Sequence, residues 1–217
     1  TYVANDFSNN SFYTIGEQIL SGYNSKIAME TAGLTEAQTE LIQRPFSMNL
    51  IALVDKKWGI ANKGRELVDI PEDKKLFREE TYGKVVIMGR KTLEALPNQS
   101  ALVGRKNIVL TRNKDYEAKD VCLCHSVEDV LEKVKNVDSK DVYVIGGGQI
   151  YKEFLPYCDT AHITKVDYSY EADTYISDFD KLKDWRITGQ SDEHTYFDIC
   201  YEFVRYERKG KADEMPE

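Results

Sequence analysis

The sequence lacks any apolar run near the length of about 18 residues that a membrane-spanning helix requires. Its longest apolar stretches, at residues 84–88 and 107–110, have the length of a β-strand. No basic segment followed by an apolar one opens the chain, so we predict no signal peptide and no membrane partner. Basic residues are also in deficit, because 29 Lys and Arg stand against 37 Asp and Glu, for a net charge of −8. That balance argues against nucleic acid as the main partner, since phosphate binding needs clustered cations.

Cysteine and histidine are scarce, with four and three residues in a chain of 217. Cys122 and Cys124 form a C-x-C pair, which is poor zinc spacing when no second pair follows. Cys158 and Cys200 are isolated, and the histidines at 125, 162 and 194 show no metal-ligand spacing. We therefore predict no metal site, structural cysteines that stay reduced, and a cytoplasmic protein.

Residues 1–47 differ from the rest of the chain, because they are rich in Asn, Ser, Thr and Tyr and poor in basic residues. Apolar residues recur every four positions from Ile15 to Ile27, which predicts one helix. Thr35 with Gln38 resembles a capping box that opens a second helix. We predict an N-terminal helical extension. It is either a helical hairpin packed on the main domain or on another chain, or a regulatory segment that contacts a partner.

From residue 48 onward, predicted strands alternate with predicted helices. The alternation predicts a mainly parallel sheet with helices on both faces. No helix separates the last strands, so we predict an antiparallel pair at one edge. We assign residues 48–209 to this domain and residues 210–217 to a polar tail. Strands are expected at 49–54, 84–88, 107–110, 120–124, 141–145, 160–166, 185–190 and 197–207, and helices at 71–81, at 126–135 and after the glycines at 146–148.

Three predicted strands end in residues suited to binding phosphate. In an open sheet of this kind, ligands bind at the carboxyl ends of the strands. Glycine after a strand is more often only a tight turn, but three such ends on one sheet favour an anionic dinucleotide. The spacing is not the G-x-G-x-x-G of the common dinucleotide fold, and two arginines favour the 2′-phosphate of NADPH over the hydroxyl of NADH. The three ends are Gly89-Arg90-Lys91-Thr92, Thr111-Arg112 and Gly146-Gly147-Gly148-Gln149.

One carboxylate lies on an apolar helix face. Pro71 suits the first turn of the predicted helix, and Asp73 shares a face with Ile70 and Phe77. An acid on such a face should have a raised pKa, because burial disfavours its charged form, and that suits proton delivery near neutral pH. Acids are also common in first helical turns because they complement the helix dipole, so both interpretations stay open.

Six segments of the chain carry a family pattern, in order and at matching spacing. The segments are Leu50-Ile-Ala-Leu-Val-Asp-Lys-Lys-Trp-Gly-Ile60, Ile70-Pro-Glu-Asp73 with Phe77, Val86-Ile-Met-Gly-Arg-Lys-Thr92, Gly104-Arg-Lys-Asn-Ile-Val-Leu-Thr-Arg112, Val144-Ile-Gly-Gly-Gly-Gln-Ile-Tyr151 and Ala172-Asp-Thr174. Together they resemble dihydrofolate reductase, most of all the bacterial forms, and the first two segments look like those of Gram-positive bacteria. The resemblance implies an α/β fold with a central mixed, mainly parallel sheet, an antiparallel C-terminal edge strand and flanking helices. It also implies NADPH-dependent reduction of dihydrofolate, with dihydrofolate and antifolate small molecules as partners.

The resemblance also assigns roles to matching positions. Asp73 would be the only ionisable side chain at the pterin and would help a water to protonate it, while Thr164 would hydrogen-bond that carboxylate. Arg105 would clamp the α-carboxylate of the glutamate tail. Gly146 and Gly147 would be joined by a cis peptide, and a loop at 59–69 would close over the nicotinamide. The other substrate-binding residues would be Ile51, Ala52, Leu53, Phe77, Leu96, Leu102, Ile145 and Tyr151. NADPH would be held by Ile60, Gly89, Arg90, Lys91, Thr92, Thr111, Arg112, Gly146, Gly147, Gly148, Gln149 and Ile150.

Six positions near the predicted loop and pocket depart from the family pattern. Leu53 stands where a small residue is usual, Ala61 where glycine is usual, Arg65 where aspartate is frequent, and Glu66, Val68 and Lys74 where apolar or aromatic residues are common. We therefore hypothesise an active enzyme with an altered response to diaminopyrimidine inhibitors. Two other functions stay open. One is a reductase of related fold acting on another heterocycle, and the other is a catalytically weakened NADP-binding scaffold whose extension binds a partner.

Overall fold

A computed structural model describes residues 46–210 of the chain. Within that range the secondary structure consists of four α-helices, twelve strands and three single 3-10 turns. The helices are α1 (Pro71–Thr81), α2 (Arg90–Ala95), α3 (Val127–Val134) and α4 (Gly148–Phe154). The strands are β1 (Met48–Val54), β2 (Gly59–Asn62), β3 (Arg65–Glu66), β4 (Val85–Gly89), β5 (Lys106–Leu110), β6 (Cys122–Cys124), β7 (Val142–Gly146), β8 (Cys158–Val166), β9 (Thr174–Tyr175), β10 (Trp185–Gln190), β11 (His194–Tyr196) and β12 (Ile199–Arg208).

Nine of the described strands form one mixed sheet in the order β10-β12-β8-β1-β7-β4-β5-β6, with β11 paired to β12. Six neighbouring strands of this sheet, in the order β8-β1-β7-β4-β5-β6, run parallel to one another. The last strands, β10, β11 and β12, pair antiparallel at the β8 edge. The predicted mainly parallel sheet with an antiparallel C-terminal edge is therefore confirmed.

The central strands are continuous apolar runs because helices cover both faces of the sheet. Met48, Leu50 and Val54 of β1 are at most 1% exposed, and Ile87 and Met88 of β4 are fully buried. Two of the helices begin at residues that favour the start of a helix. Pro71 occupies the first turn of α1, and the Ser126 side chain caps α3 by accepting a hydrogen bond from the Asp129 amide at 3.0 Å.

The region predicted as a loop at 59–69 contains two short strands. β2 and β3 form a hairpin, and β9 pairs with β2 on its other side to complete a second, three-stranded sheet. Strands of two to four residues are too short for apolar periodicity to reveal them. The partner strand β9 also lies more than 100 residues further along the chain, so local sequence gives no sign of the pairing.

The predicted helical extension at residues 1–47 falls, except for its last two residues, outside the described range, as does the tail beyond residue 210. In the part of the chain that the structure describes, no helix is both long enough and apolar enough to cross a membrane.

Candidate active site

The three strand ends predicted to bind phosphate are brought together at one edge of the sheet. β7, β4 and β5 are consecutive parallel neighbours, so their carboxyl ends point the same way. β4 leads into α2 at Gly89–Arg90, β7 leads into α4 through Gly147, and β5 ends just before Thr111. This is the crevice at which open parallel sheets bind ligands.

The glycines in this crevice leave backbone uncovered. Gly146 and Gly147 are joined by a cis peptide bond, as the resemblance predicted, and Gly146 has a φ of 114°. A Cβ atom at Gly146 would lie 3.1 Å from the Tyr151 ring, and one at Gly147 would lie 3.5 Å from Thr92 Oγ1. The turns after β4 and β7 therefore come within side-chain distance of each other, and a side chain at Gly147 would occupy the space between them, whereas one at Gly146 would meet Tyr151. Backbone free of side chains is what a pyrophosphate needs for close approach.

Cationic side chains border the glycine turns. Arg90 lies over the Tyr116 ring, with its Cζ atom 5.7 Å from the ring centroid, and its Nε is 3.8 Å from Glu94. Lys91 is the next residue of α2 and Arg112 follows β5, and both are exposed. Thr111 is buried, and its hydroxyl accepts a hydrogen bond from the Asn113 amide at 3.2 Å, which fixes the turn after β5. The residues present therefore fit an anionic dinucleotide that bears an extra phosphate.

Asp73 lies in the first turn of α1 and faces the sheet. The Thr164 hydroxyl, on β8, donates a hydrogen bond to its Oδ1 at 2.6 Å, which is the contact that the resemblance predicted. Burial raises the pKa of Asp73, and the Thr164 hydrogen bond opposes that rise only in part. Ile70 and Phe77, predicted to share its face, are respectively buried and packed against a core cluster. The helix-dipole interpretation still applies to this first turn, but it does not explain the burial or the raised pKa.

Apolar residues predicted to contact substrate gather beside Asp73. Phe77, Leu96, Leu102 and Ile145 pack against a buried cluster that includes Ile51. Tyr151 is buried, and its hydroxyl donates to the Ile51 carbonyl at 2.7 Å. This bond ties α4 to β1, and burial raises the Tyr151 pKa. The wall on which an aromatic ligand could lie is thus made by α1, β1, β7 and the connection that follows α2.

Arg105 is held in a defined orientation after the turn at Gly104. Its Nε donates to Thr81 Oγ1 at 3.1 Å, and its NH1 and NH2 groups donate to the carbonyls of Val103 at 2.6 Å and Arg78 at 3.4 Å. Its Cζ atom lies 5.6 Å from the centroid of the Tyr82 ring. A guanidinium fixed in this way is preorganised for a carboxylate, because little side-chain entropy remains to be lost.

Two of the residues that depart from the family pattern pack together. Leu53 and Val68 both contact the buried cluster of Ile70, Val166 and Tyr201, which lies under the start of α1. A larger residue at position 53 therefore fills space beside the helix that carries Asp73. Ala52, its neighbour, is buried in β1.

Lys74 faces water instead of lining an apolar pocket. Its Nζ atom lies 2.8 Å from Asp69 Oδ2 and 3.8 Å from Glu66 Oε2, and the Lys74 side chain is 45% exposed. The hydrogen bond that Lys74 donates to Asp69 raises the pKa of Lys74. The unusual residues Glu66 and Lys74 thus form a charged rim between β3 and α1, in line with a lysine whose head reaches solvent.

Two acids hold the segments around β2, and sequence reasoning gave neither a role. Asp55 accepts hydrogen bonds from the amides of Gly59 at 2.8 Å and Tyr170 at 2.9 Å. Asp173 accepts one from the Lys63 amide at 2.7 Å. Ile60 lies between these anchors, and Gly148 approaches β9 so closely that a Cβ there would be 2.7 Å from Thr174 Cγ2. Both acids stand in segments that carried the resemblance, which was the available signal.

Metal ligation has no candidate among residues 46–210, where no group of three or more His, Cys, Asp or Glu side chains could hold an ion. All four cysteines are free. His162 is largely buried beside Tyr143, and burial lowers its pKa.

Comparison with known proteins identifies similar chains. A family model described as dihydrofolate reductase matches residues 47–208. The chain is 35% identical over 166 residues to dihydrofolate reductase of Staphylococcus haemolyticus, covering 75% of this chain and 96% of that protein. It is 35% identical over 147 residues to the Bacillus subtilis enzyme, covering 66% and 83%. A solved structure of dihydrofolate reductase from Enterococcus faecalis, complexed with NADP(H) and RAB-propyl, matches with a TM-score of 0.68 and 28% identity, covering 76% of this chain and 97% of that one.

Proposed function

The chain belongs to the dihydrofolate reductase family. We propose that its site reduces 7,8-dihydrofolate to 5,6,7,8-tetrahydrofolate and that Asp73 assists protonation of the pterin. The observation that carries this proposal is the buried Asp73–Thr164 pair at 2.6 Å, beside an apolar wall and next to the glycine crevice. We propose that residues 48–209 carry the activity, a proposal supported by the family model, which matches residues 47–208.

NADPH supplies the hydride when it is bound. The turns at Gly89–Thr92 and Gly146–Ile150 would hold its phosphates, and Arg90, Arg112 and Thr111 would hold its adenosine end. Ile60, between the Asp55 and Asp173 anchors, would contact the nicotinamide and help to exclude water. Stacking the two reacting rings in the correct geometry accounts for much of the rate that such a site can provide.

The substrate ring would lie between Phe77 and Ile51. Asp73 would accept hydrogen bonds from the amino group and ring nitrogen of the pterin. Because burial raises the pKa of Asp73, the carboxyl holds a proton at a higher pH than an exposed aspartate does, and it can assist a water in protonating the imine nitrogen. Arg105, already oriented by Thr81 and two carbonyls, would bind the glutamate tail.

Oxidation of NADPH in the presence of dihydrofolate tests the proposal directly. We expect dihydrofolate-dependent turnover in the parent protein and its loss in Asp73→Asn, which keeps the shape but removes the acid. A parent that binds NADPH without turnover would favour the scaffold alternative. Dihydrofolate-dependent turnover that persists unchanged in Asp73→Asn would contradict the role given to Asp73.

An altered response to diaminopyrimidine inhibitors remains part of the proposal. It is supported by Leu53, which fills space beside the start of α1, and by the charged rim of Lys74, Asp69 and Glu66. Trimethoprim affinity equal to that of an ordinary bacterial enzyme would contradict it. We also propose a cytoplasmic location, supported by the four free cysteines, and a self-contact or partner contact through residues 1–47.

A further inference from the structure

The first turn of α1 begins without a side-chain cap. Its N-cap residue is Ile70, which has no side-chain oxygen, and Pro71 follows. The turn instead carries two consecutive carboxylates, Glu72 and Asp73, and each receives a hydroxyl from the sheet. Thr164 donates to Asp73 at 2.6 Å, and Tyr201 donates to Glu72 Oε2 at 2.5 Å.

The two hydroxyls come from neighbouring strands of the sheet. β8 and β12 are antiparallel, and Thr164 lies opposite Phe203. Tyr201 precedes Phe203 by two residues, so its side chain points to the same face of the sheet as those of Thr164 and Phe203. The neighbouring strands β8 and β12 therefore each donate one side-chain hydrogen bond to the two consecutive carboxylates in the first turn of α1.

A third strand contributes to the contact with Glu72. His194 on β11 pairs in register with Tyr201, and its ring stacks on the Tyr201 ring with centroids 5.5 Å apart and an interplanar angle of 23°. Its Nδ1 atom lies 3.3 Å from Glu72 Oε2. Tyr201 itself is only 3% exposed and packs with Ile70, so its hydroxyl has little freedom to leave Glu72.

We propose that Tyr201 and His194 are positioning residues, which hold Glu72 and thereby keep the neighbouring Asp73 buried against Thr164. This inference rests on the proposed role of Asp73 in dihydrofolate reduction. Neither Tyr201 nor His194 forms a hydrogen bond with Asp73. Their effect on Asp73 therefore passes through the backbone of the first turn of α1.

Several charged or titratable groups face Asp73, so they bear on how the pKa of Asp73 would change if the first turn of α1 loosened. They are Glu66 from β3, Asp69 from the connection to α1, Lys74 from α1 itself, Tyr151 from α4 and Tyr201 from β12. Burial is the largest cause of the raised pKa of Asp73. If the turn loosens and water reaches the carboxyl, that pKa falls toward its ordinary value. Less of the protonated site is then present at neutral pH, so the rate of hydride transfer falls.

The chain offers a closely matched control at the other end of the same helix. The Tyr143 hydroxyl, from β7, donates to Glu80 Oε2 at 2.8 Å, and Tyr143 is 5% exposed. Tyr143→Phe therefore removes the same type of tyrosine–glutamate bond from α1, but two turns away from Asp73. A general loosening of the helix would appear in both tyrosine variants, whereas a positioning effect appears only in Tyr201→Phe.

The test is the pH profile of hydride transfer in a single turnover of the full chain with NADPH and dihydrofolate. For Tyr201→Phe we expect a rate near neutral pH that is lower by roughly fivefold, equivalent to about 1 kcal/mol for one lost hydrogen bond. We also expect a midpoint at lower pH and an unchanged KM for NADPH. Glu72→Gln, which keeps an oxygen acceptor for the tyrosine, should stay within about twofold of the parent. Tyr143→Phe should keep the parent profile.

The proposal is overturned if Tyr201→Phe keeps the parent rate and midpoint, or if Tyr143→Phe gives the same shift. Should Tyr201→Phe fail to fold in circular dichroism, Glu72→Ala carries the same prediction, because Glu72 is half-exposed and its removal deletes the acceptor. Asp73→Asn is measured alongside. If the parent shows no hydride transfer to dihydrofolate, the proposed function is wrong, and if Asp73→Asn retains the parent rate, the proposed role of Asp73 is wrong. If it loses the rate while Tyr201→Phe does not, only the positioning role is wrong.

Discussion

Replacing Thr164 by valine isolates one hydrogen bond to Asp73, because valine keeps nearly the same volume and lacks only the hydroxyl. Thr164 is 3% exposed, so no bulk water can easily take the place of the lost donor. A hydrogen bond to a charged group contributes about 1.5–3 kcal/mol, and one between neutral groups about 0.5–1.5 kcal/mol. We therefore expect the variant to lose about 1.5–3 kcal/mol of unfolding free energy where Asp73 is ionised, and less where it is protonated.

The direction of the pH dependence follows from the pKa of Asp73. Burial raises that pKa in the folded state, and the Thr164 hydrogen bond lowers it, so Thr164→Val raises it further. A raised folded-state pKa means that the carboxyl costs stability above that pKa, and that the cost vanishes below the unfolded value near 3.8. The stability deficit of the variant should thus be largest above the folded-state pKa and shrink as pH falls toward 3.8.

Urea unfolding at a series of pH values measures this deficit, and the Asp73→Asn background provides the control. In that background position 73 carries no carboxylate. Thr164→Val should therefore lower the free energy of unfolding by the same amount at every pH. The midpoint of hydride transfer should also move to higher pH in Thr164→Val. A deficit that is independent of pH in the parent background, or a midpoint that moves to lower pH, would refute the reasoning.

Other changes test the remaining parts of the site by steady-state kinetics. Arg105→Lys replaces a planar fork by a point charge, so KM for dihydrofolate should rise roughly tenfold while KM for NADPH stays constant. Arg112→Gln should reduce the preference for NADPH over NADH by about tenfold, and equal losses with both cofactors would argue against a 2′-phosphate contact. Gly148→Ala places a Cβ 2.7 Å from Thr174 Cγ2, which should cost about 1–3 kcal/mol of stability and raise KM for NADPH. Thr174→Ser, which removes that methyl group, should restore part of both losses, and no recovery would place the clash elsewhere.

Much of the fold could be predicted because its signals are local. The apolar run in β1 and the proline that opens α1 are properties of neighbouring residues, and α1 spans the predicted residues 71–81. The three strand ends could also be predicted, because Gly89 and Arg90 stand at the end of β4, Thr111 and Arg112 follow β5, and Gly146 and Gly147 stand at the end of β7. Parallel strands in one sheet then bring these ends to the same edge.

The parts that sequence did not predict depend on contacts between distant residues. The small sheet joins β2 to β9, and its strands are too short to show a period. The sequence patterns gave Glu72 no role, and they indicated only that His194 lacks metal-ligand spacing. Only the register of β11, β12 and β8 shows that Tyr201, 129 positions away, holds Glu72.

The pH dependence of single-turnover hydride transfer from NADPH to dihydrofolate, in the parent and in Asp73→Asn, tests the central claim most directly. If Asp73 assists protonation of the pterin, the rate of hydride transfer in the parent should fall as pH rises through the raised pKa of that carboxyl. Asp73→Asn should be slow at every pH and should lack that transition. An Asp73→Asn protein that transfers hydride as fast as the parent near neutral pH, with the same midpoint, would contradict the claim.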